Sequence, residues 1–411
     1  MLIKLTYNKF NYKYLEKLCY IIINWSDIEN MKKIFKYIDK PLLIVSILLF
    51  IFGLIMVFSA SNVIAYMSHH VSAYYYFIRQ ALFLLAGFFL FLVIAGVNTR
   101  TYGPISWILL IIFSIGLVLL LIFIKPKNQA QSWFKIGPFT LQPSEFIKVI
   151  SIVWLSSFYD KHKNNLNKYS TSLFPLCVCA AIAFLIFLQP DLGTMIIFVS
   201  IVAAIFFAVP ISKEIKLKTT FGVLGLIFFA IVAFLGSGKS LLQDRQKARL
   251  DFTNPCASLL NSGNQVCNCY IAINNGGLTG TGLGNSTQKY LYLPEPYTDF
   301  IFAIVIEELG LVAGILLLIA YLIVLCRILV IGRNSPTNKG SAMCYGIAIY
   351  IFLHIAVNLM GILGLMPLTG VPLPFISYGG SFTISLIAAL SIVQRVSIEN
   401  GLAKERNYKN A

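Results

Sequence analysis

Charge is scarce in this 411-residue chain. Only 12% of its residues are charged, against about 25% in soluble domains, and 16 of them are acidic. The eight cysteines show no metal-ligand spacing. These shortages exclude an ordinary soluble domain and argue against a cysteine-bound metal.

Nucleotide-binding motifs are also missing. The Gly-rich stretch GGLTGTGLGNSTQKY (276–290) has neither the GK[ST] of a P-loop nor the preceding strand of a dinucleotide-binding turn. We therefore expect no nucleotide cofactor. A flexible connector remains an alternative interpretation of this stretch.

The N-terminal segment lacks the apolar core and the small-residue cleavage site of a signal peptide. Residues 1–30 are basic and aromatic, and Met31 begins a stretch that resembles a natural start. Residues 1–30 are either a cytoplasmic extension or lie upstream of the functional start codon.

Long apolar runs dominate what is present, since 58% of the residues are hydrophobic. A helix needs about 20 apolar residues to cross a bilayer, and runs this uniform indicate helices rather than alternating barrel strands. The runs predict an all-α polytopic membrane protein with about ten transmembrane helices. They lie at 41–59, 77–97, 105–124, 143–159, 171–188, 192–209, 219–236, 302–326, 342–365 and 376–394.

The distribution of basic residues predicts the orientation. With both termini in the cytoplasm, 22 of the 32 Lys and Arg residues fall in inside segments and 8 in outside loops. The net charge of +16 is thus explained by topology and attraction to anionic membrane lipid, and no basic–aromatic module indicates a nucleic-acid partner. We expect a cytoplasmic N-terminal segment (1–40), a transmembrane domain (41–395) and a cytoplasmic tail (396–411). An extracytoplasmic loop (237–298) separates helices 7 and 8.

Acidic residues collect in LPEPYTDFIFAIVIEELG (293–310), where a polar loop meets an apolar run. A carboxylate at the edge of a bilayer is costly unless it has a partner or a function. Asp299 is either a helix N-cap or a general base or cation ligand, and an apolar setting would raise its pKa toward neutrality. Glu307 and Glu308 lie deeper and need partners or a water-filled cavity.

Two further acids lie beside prolines. Glu145 in QPSEFIKV (142–149) is expected in a first helical turn, with an ion pair to Lys148 one turn on. Asp191 in LQPDLGT (188–194) is expected to cap the next helix.

Two other stretches interrupt the apolar pattern. KSLLQDRQKARLDFTNP (239–255) is either a phosphate-binding segment or a solvated basic face. LMPLTGVPLPFISYGGS (365–381) predicts non-helical backbone that lines a cavity or re-enters the membrane, because such backbone needs protein or water around it.

Three cysteines, Cys256, Cys267 and Cys269, share the large loop. The odd number argues against a complete disulfide framework. One bridge between Cys256 and Cys267 is an alternative, but free thiols are favoured.

Six stretches occur in the order found in the SEDS family, the shape, elongation, division and sporulation proteins of bacteria, and the chain resembles that family over almost its whole length after Met31. They are GLIMVFSAS (53–61), IRQALF (78–83), SWFKIGPFTLQPSEFIK (132–148), FLQPDLGT (187–194), GLGNSTQKYLYLPEPYTDFIFA (282–303) and PLPFISYGGS (372–381). The resemblance implies ten helices with a large outside loop. The 283–295 stretch resembles the division branch more than the elongation branch, whereas 367–375 also resembles the sporulation branch.

The resemblance implies polymerisation of lipid II into peptidoglycan glycan strands. It places the catalytic acid at Asp299, acting directly or through a divalent cation (Mg or Mn), and the pyrophosphate at Arg249, with Arg245 and Lys247 as further candidates. The remaining implied substrate-binding residues are Trp133, Glu145, Lys148, Gln189, Asp191, Ser377, Tyr378, Gly379 and Gly380. The chain departs from the family pattern at Ser132, Asn268, Pro296-Tyr297 and Met360.

The expected partners are a class B penicillin-binding protein and other divisome proteins, at the septum of a bacterial plasma membrane. The same reaction in elongation or sporulation is an alternative. A lipid II flippase would require paired ionisable residues across the bilayer midplane, and the predicted helices hold few of them. A recruiting scaffold would not require Asp299.

Overall fold

The computed structural model describes residues 36–67, 69–123, 132–137, 139–236, 255–256, 262–290 and 292–410. Most of this part of the chain is helical. Its helices are α1 (Lys40–Met67), α2 (Tyr75–Gly96), α3 (Tyr102–Phe123), α4 (Pro143–Lys161), α5 (Tyr169–Phe187), α6 (Leu192–Ala208), α7 (Lys213–Gly236), α8 (Ser262–Gly276), α9 (Ile301–Arg333), α10 (Asn338–Ile362) and α11 (Gly380–Asn410). Strands β1 (Phe134–Ile136) and β2 (Phe139–Leu141) form an antiparallel hairpin before α4.

Seven of the described helices, α1, α2, α3, α5, α9, α10 and α11, are long and apolar enough to cross a membrane, and α6 is a shorter apolar helix. This confirms the all-α, multi-pass membrane fold, while the count of ten crossings stays a prediction. Helix α4 turns its polar side chains inward, where Glu145 and Lys148 are buried. Helices α2 and α3 expose large apolar side chains such as Phe88 and Ile112, because their outer faces meet lipid rather than water.

Several helices run past the predicted apolar segments. Helix α1 continues to Met67, α9 reaches Arg333, and α11 continues through the predicted tail to Asn410. The extension of α11 is held by tertiary contacts. Ser397 Oγ donates to the Tyr37 carbonyl at 3.1 Å, and the Tyr37 hydroxyl donates to Glu405 at 2.6 Å. Hydropathy marks only the apolar part of a helix, so it missed these amphipathic ends.

The Gly-rich stretch of the large loop is ordered, and its interpretation as a flexible connector is wrong. Gly310, at φ +84°, interrupts α9 and frees two carbonyls and two amides of that helix. The Glu307 and Glu308 carbonyls accept from the N–H groups of Thr281 and Gly282, both at 2.9 Å. The Leu311 amide donates to the Gly277 carbonyl at 2.9 Å. The loop therefore satisfies the backbone groups that the kink exposes.

The expectation of free thiols at Cys256 and Cys267 is wrong, because the two residues form a disulfide, whereas Cys269 is a buried free thiol. Helix α8 holds Cys267 and packs closely on α9. A Cβ atom at Gly276 would lie 2.0 Å from the Ile306 carbonyl oxygen. The bridge thus ties residue 256 to a helix fixed against α9, a proximity that cysteine counting could not reveal.

Candidate active site

Asp299 lies directly before α9, where the large loop meets the helix bundle. The N-cap position belongs to Phe300, which makes no side-chain capping bond, so the N-cap interpretation of Asp299 is wrong. The Thr298 hydroxyl donates to the Asp299 carboxylate at 2.6 Å. A Cβ atom at Gly370 would lie 3.6 Å from the other carboxylate oxygen. The carboxylate is therefore directed toward the 365–381 segment rather than into the first turn of α9.

The 365–381 segment is non-helical up to Gly380, as the prolines and glycines predict. Its Ser377 hydroxyl donates to the Thr298 carbonyl at 2.6 Å and accepts from the Leu373 N–H at 2.8 Å. The Tyr378 N–H donates to the Tyr297 carbonyl at 2.9 Å. Two predicted site residues, Ser377 and Tyr378, thus hold the backbone on which Asp299 lies.

Asn358 of α10 is a site residue that sequence reasoning missed. Its buried amide donates to the carbonyls of Asp299 and Val371, both at 2.8 Å, and so joins the two non-helical segments. A signal was present, because His354 and Asn358 are polar residues spaced by four in the apolar run 342–365. That spacing places both on one face of a helix, and polar groups there need a partner or a function.

Glu145 and Lys148 form the predicted ion pair, at 2.8 Å, with the lysine fully buried. The Lys148 ammonium also lies 2.9 Å from His354 Nε2, and His354 Nδ1 lies 3.4 Å from the Pro372 carbonyl oxygen. The three side chains therefore connect α4 and α10 to the same segment that contacts Asp299. Because Glu145 and Lys148 are enclosed by protein, their contacts support the segment from within.

The predicted residues of the α5–α6 hairpin are engaged with protein. Asp191 caps α6 by accepting from the Thr194 N–H at 3.0 Å, which confirms the predicted cap, and its second oxygen accepts from the Gln142 amide at 3.0 Å. The Gln189 amide is buried and donates to the Leu117 carbonyl at 3.1 Å. This hairpin also abuts the 365–381 segment, since a Cβ atom at Gly193 would lie 2.9 Å from Thr369 Cβ.

An apolar groove of about 320 Å³ lies beside the site, between α2, the β-hairpin, α4 and α11. Its lining includes Leu82, Phe83, Ala86, Phe139, Leu141, Phe146, Gly380 and Ile384. The Arg79 guanidinium, which sequence reasoning did not single out, lies 5.6 Å from the centre of the Phe139 ring. Gly380 packs its backbone on Phe83, since a Cβ atom there would lie 2.5 Å from the ring. The Arg79 guanidinium thus lies at the edge of the apolar groove. Tyr378 is close to the same groove, since its ring lies 6.5 Å from that of Phe83.

A family model described as a cell cycle protein, covering FtsW, RodA and SpoVE, matches residues 39–401. The chain belongs to this family. The probable peptidoglycan glycosyltransferase FtsW of Bacillus subtilis is 36% identical over 379 residues, covering 90% of this chain and 92% of that protein. Stage V sporulation protein E of the same organism is also 36% identical, covering 87% and 96%.

Solved structures agree on the fold. A chain from a peptidoglycan synthase complex superposes with a TM-score of 0.68 at 22% identity, covering 88% of this chain and 97% of that one. The rod shape determining protein RodA of Thermus thermophilus superposes with a TM-score of 0.60, also at 22% identity, covering 88% and 96%. This chain therefore has the fold of these solved structures.

Within this FtsW, RodA and SpoVE fold, the carboxylates of Glu307 and Glu308 in α9 are buried and have polar partners. The Glu307 carboxylate accepts from the hydroxyls of Ser286 and Thr287 and from the Thr287 N–H. Glu308 forms a buried salt bridge with Lys289 at 2.9 Å and accepts from the Ser59 hydroxyl. Both glutamates thus have the partners that their position demanded, and they anchor the Gly-rich stretch to α9.

Three of the positions that depart from the family pattern make contacts within the protein, and a fourth, Met360, is exposed. Tyr297 is buried, with its ring 4.4 Å from that of Tyr76, and Asn268 donates to the Tyr292 carbonyl at 2.8 Å. Ser132 approaches the Gln189 carbonyl at 3.5 Å, whereas Met360 is 37% exposed. Trp133, one of the predicted family residues, is 43% exposed. The predicted pyrophosphate ligands Arg245, Lys247 and Arg249 lie outside the described residues.

Glu295 is the carboxylate that interacts electrostatically with Asp299 from the same loop. Burial raises the pKa of the Glu295 carboxyl above its ordinary value, the charge of Asp299 raises it further, and His69 opposes the shift.

Within the described part of the chain, no three His, Cys, Asp or Glu side chains could together hold a metal. With so few ligands from these residues, Mg²⁺ could bind here only in its usual mode, in which one or two carboxylates, water molecules and the phosphates of a substrate hold it.

Proposed function

We propose that this protein polymerises lipid II into peptidoglycan glycan strands during septal wall synthesis. The names of the FtsW relatives support a glycosyltransferase. The observation that carries the proposal is the placement of Asp299. This carboxylate before a membrane helix is not used for capping. The Thr298 hydroxyl donates to it, and the Asn358 amide donates to the backbone carbonyl of the same residue. A carboxylate at the edge of the membrane costs free energy, so its retention there suits a group that reacts with a membrane-anchored substrate.

In the reaction, the 4-hydroxyl of the acceptor sugar attacks the anomeric carbon of the donor sugar. Asp299 accepts the hydroxyl proton as the new glycosidic bond forms. The bond between the anomeric carbon and the pyrophosphate oxygen breaks, and undecaprenyl pyrophosphate leaves with the electron pair. The substrate brings its own leaving group, so the reaction needs no nucleotide.

The leaving group, undecaprenyl pyrophosphate, has a charged part and an apolar part, and we propose a separate contact surface on the protein for each. Arg249, Arg245 and Lys247 are proposed to contact the pyrophosphate. A divalent cation bound at Asp299 and the pyrophosphate would neutralise charge there. The apolar groove beside Arg79 offers a surface for the prenyl chain, with a guanidinium at its edge for phosphate oxygens.

The protein is proposed to lie in the bacterial plasma membrane with both termini in the cytoplasm and Asp299 at the outer face. We propose a class B penicillin-binding protein and other divisome proteins as partners. One structure with this fold comes from a complex that coordinates polymerisation and crosslinking, which supports a transpeptidase partner.

Reconstitution tests the proposal. The protein is purified with its cognate transpeptidase, inactivated at its own active site, and labelled lipid II is followed into glycan strands. Strand formation that requires this protein is expected. Transport of labelled lipid II across vesicles without strand formation would instead indicate a flippase. In cells, depletion should give filaments that fail to divide, whereas loss of rod shape would indicate elongation.

Asn358→Leu should lower the polymerisation rate about 10²-fold, because small misplacements of a catalytic group carry costs of this size. The variant removes the two hydrogen bonds that the Asn358 amide donates to the backbone carbonyls of Asp299 and Val371. The measurement is the rate of strand synthesis per folded molecule.

Asn400→Leu is the matched control. Asn400 is a similarly buried asparagine whose amide donates to the Ile331 carbonyl at 3.0 Å, toward the opposite ends of α9 and α11. It should lose stability but keep its rate. Equal rate losses in both variants would reduce Asn358 to a general folding role.

A further inference from the structure

A second cleft, of about 760 Å³, lies at the other end of the helix bundle. It is lined by α3, α4, α5, the turn Thr99–Thr101 and the start of α10. Along α10, Lys339 in this cleft lies 19 positions before Asn358, which is beside Asp299, and this spacing corresponds to a distance of about 28 Å. Since this approaches the thickness of a bilayer core, the cleft opens at the membrane face opposite Asp299.

One wall of the cleft is aromatic. The ring of Trp107 stacks on that of Trp154 at 5.1 Å, and the rings of Phe158 and Phe174 lie 5.7 Å apart. Trp107 and Phe174 are 37% and 48% exposed, and the neighbouring Ile108 is 53% exposed on the outer face of α3. The aromatic wall is therefore continuous with the lipid-facing surface, as is typical of aromatic residues at a membrane interface.

The polar rim carries an excess of positive charge. Arg100 and Lys161 are exposed there, and no salt bridge within the described residues involves either of them. The Lys339 ammonium donates to the Thr99 carbonyl at 2.6 Å. Asp160 is the one acidic residue in the described lining.

Two neighbouring groups complete the charges around the cleft. Behind the turn, Glu399 is paired with Arg395 at 3.0 Å and accepts from the Thr99 hydroxyl, so it is already engaged. His162 packs its ring 4.3 Å from that of Phe158, and its Nδ1 lies 2.9 Å from the Phe158 carbonyl oxygen. Three cations thus face one carboxylate, and the rim attracts anions.

We propose that this cleft binds an anionic phospholipid of the leaflet opposite Asp299, which is the cytoplasmic leaflet in the predicted orientation. Arg100 and Lys161 contact the headgroup phosphate, and an acyl chain lies along Trp107 and Phe174. Basic pockets between membrane helices on the cytoplasmic side are suited to anionic headgroups. A free phosphate would leave the aromatic wall unused. A zwitterionic lipid would bring its own cation to the basic rim. The site is separate from Asp299, so it does not depend on the proposed reaction.

Fluorescence quenching tests the proposal. The protein is placed in nanodiscs with Trp25 and Trp133 replaced by phenylalanine, so that Trp107 and Trp154 report on the cleft. Brominated phosphatidylglycerol and brominated phosphatidylcholine are compared at equal mole fraction. The anionic lipid should quench more strongly, and Arg100→Gln/Lys161→Gln should reduce this preference about fivefold or more.

Lys168→Gln/Lys213→Gln is the matched control. Both lysines are exposed and lie outside this cleft, and their replacement removes the same amount of positive charge as Arg100→Gln/Lys161→Gln. It should keep the preference. Equal quenching by the two lipids, or an equal loss in the control, would overturn the site. Loss of the preference on adding inorganic phosphate at constant ionic strength would overturn a lipid occupant, whereas its persistence supports one.

Discussion

Asp299→Asn is expected to lower the rate of glycan polymerisation by about 10²–10⁴-fold without loss of folded protein. Asparagine keeps the size of the side chain and an oxygen that can accept from Thr298, which now donates at 2.6 Å. It cannot accept the proton of the attacking hydroxyl. The loss should therefore appear in the chemical step and not in assembly.

The measurement is the initial rate of strand formation from labelled lipid II, in complexes with equal amounts of folded protein and transpeptidase. Glu214→Gln, which removes a carboxylate at the exposed start of α7, should polymerise normally. Asp299→Glu should give an intermediate rate, because the carboxylate is retained but displaced. Wild-type rates in Asp299→Asn would assign the base to another group, and Glu295 would be examined first.

Of the variants proposed for this protein, Lys289→Met is expected to lose the most stability, about 3–5 kcal/mol in the free energy of unfolding. The Lys289–Glu308 pair is almost completely buried, and its lysine also donates to the Gly284 carbonyl at 2.6 Å. Removing only the lysine leaves the Glu308 charge inside the protein, with the Ser59 hydroxyl as a neutral donor. The Gly-rich stretch should then be held to α9 without this ion pair, by Glu307 and by backbone hydrogen bonds that include those of Thr281, Gly282 and Leu311.

Denaturant unfolding in detergent, followed by helical circular dichroism, measures this loss. Lys218→Met is the matched control, because the Lys218–Glu214 pair is exposed on both sides, and it should unfold like the wild type. Lys289→Met/Glu308→Gln should recover part of the loss, since no unpaired charge remains buried. A Lys289→Met variant as stable as the Lys218→Met control would show that the buried pair contributes little.

Much of the fold could be predicted from composition and charge. The apolar runs predicted the helices because backbone in lipid must satisfy its own hydrogen bonds, and length then sets what spans the bilayer. The prolines and glycines of 365–381 predicted the break before α11 for the same reason. Helix ends were missed where polar extensions are held by distant contacts, as with Ser397 and Tyr37.

The candidate site was predictable only in part. Asp299 and the Glu145–Lys148 pair stood out because charge is rare in this chain. Asn358 did not, since its role depends on meeting the Asp299 carbonyl, 59 positions away in sequence. The anionic-lipid cleft also could not be read from spacing, because its cations lie on three separate elements.

The sequence by itself determined that this is a helical membrane protein with costly carboxylates before and within α9, since hydropathy and charge are local properties. Only the tertiary structure decided what each carboxylate does. Glu308 is neutralised by Lys289 and by Ser59, which lies 249 positions away. Glu307 is enclosed by the loop at 286–288, whereas Asp299 is held by its backbone and its carboxylate is not used as a helix cap. The physical reason is that the cost of a buried charge depends on partners that folding brings from distant parts of the chain.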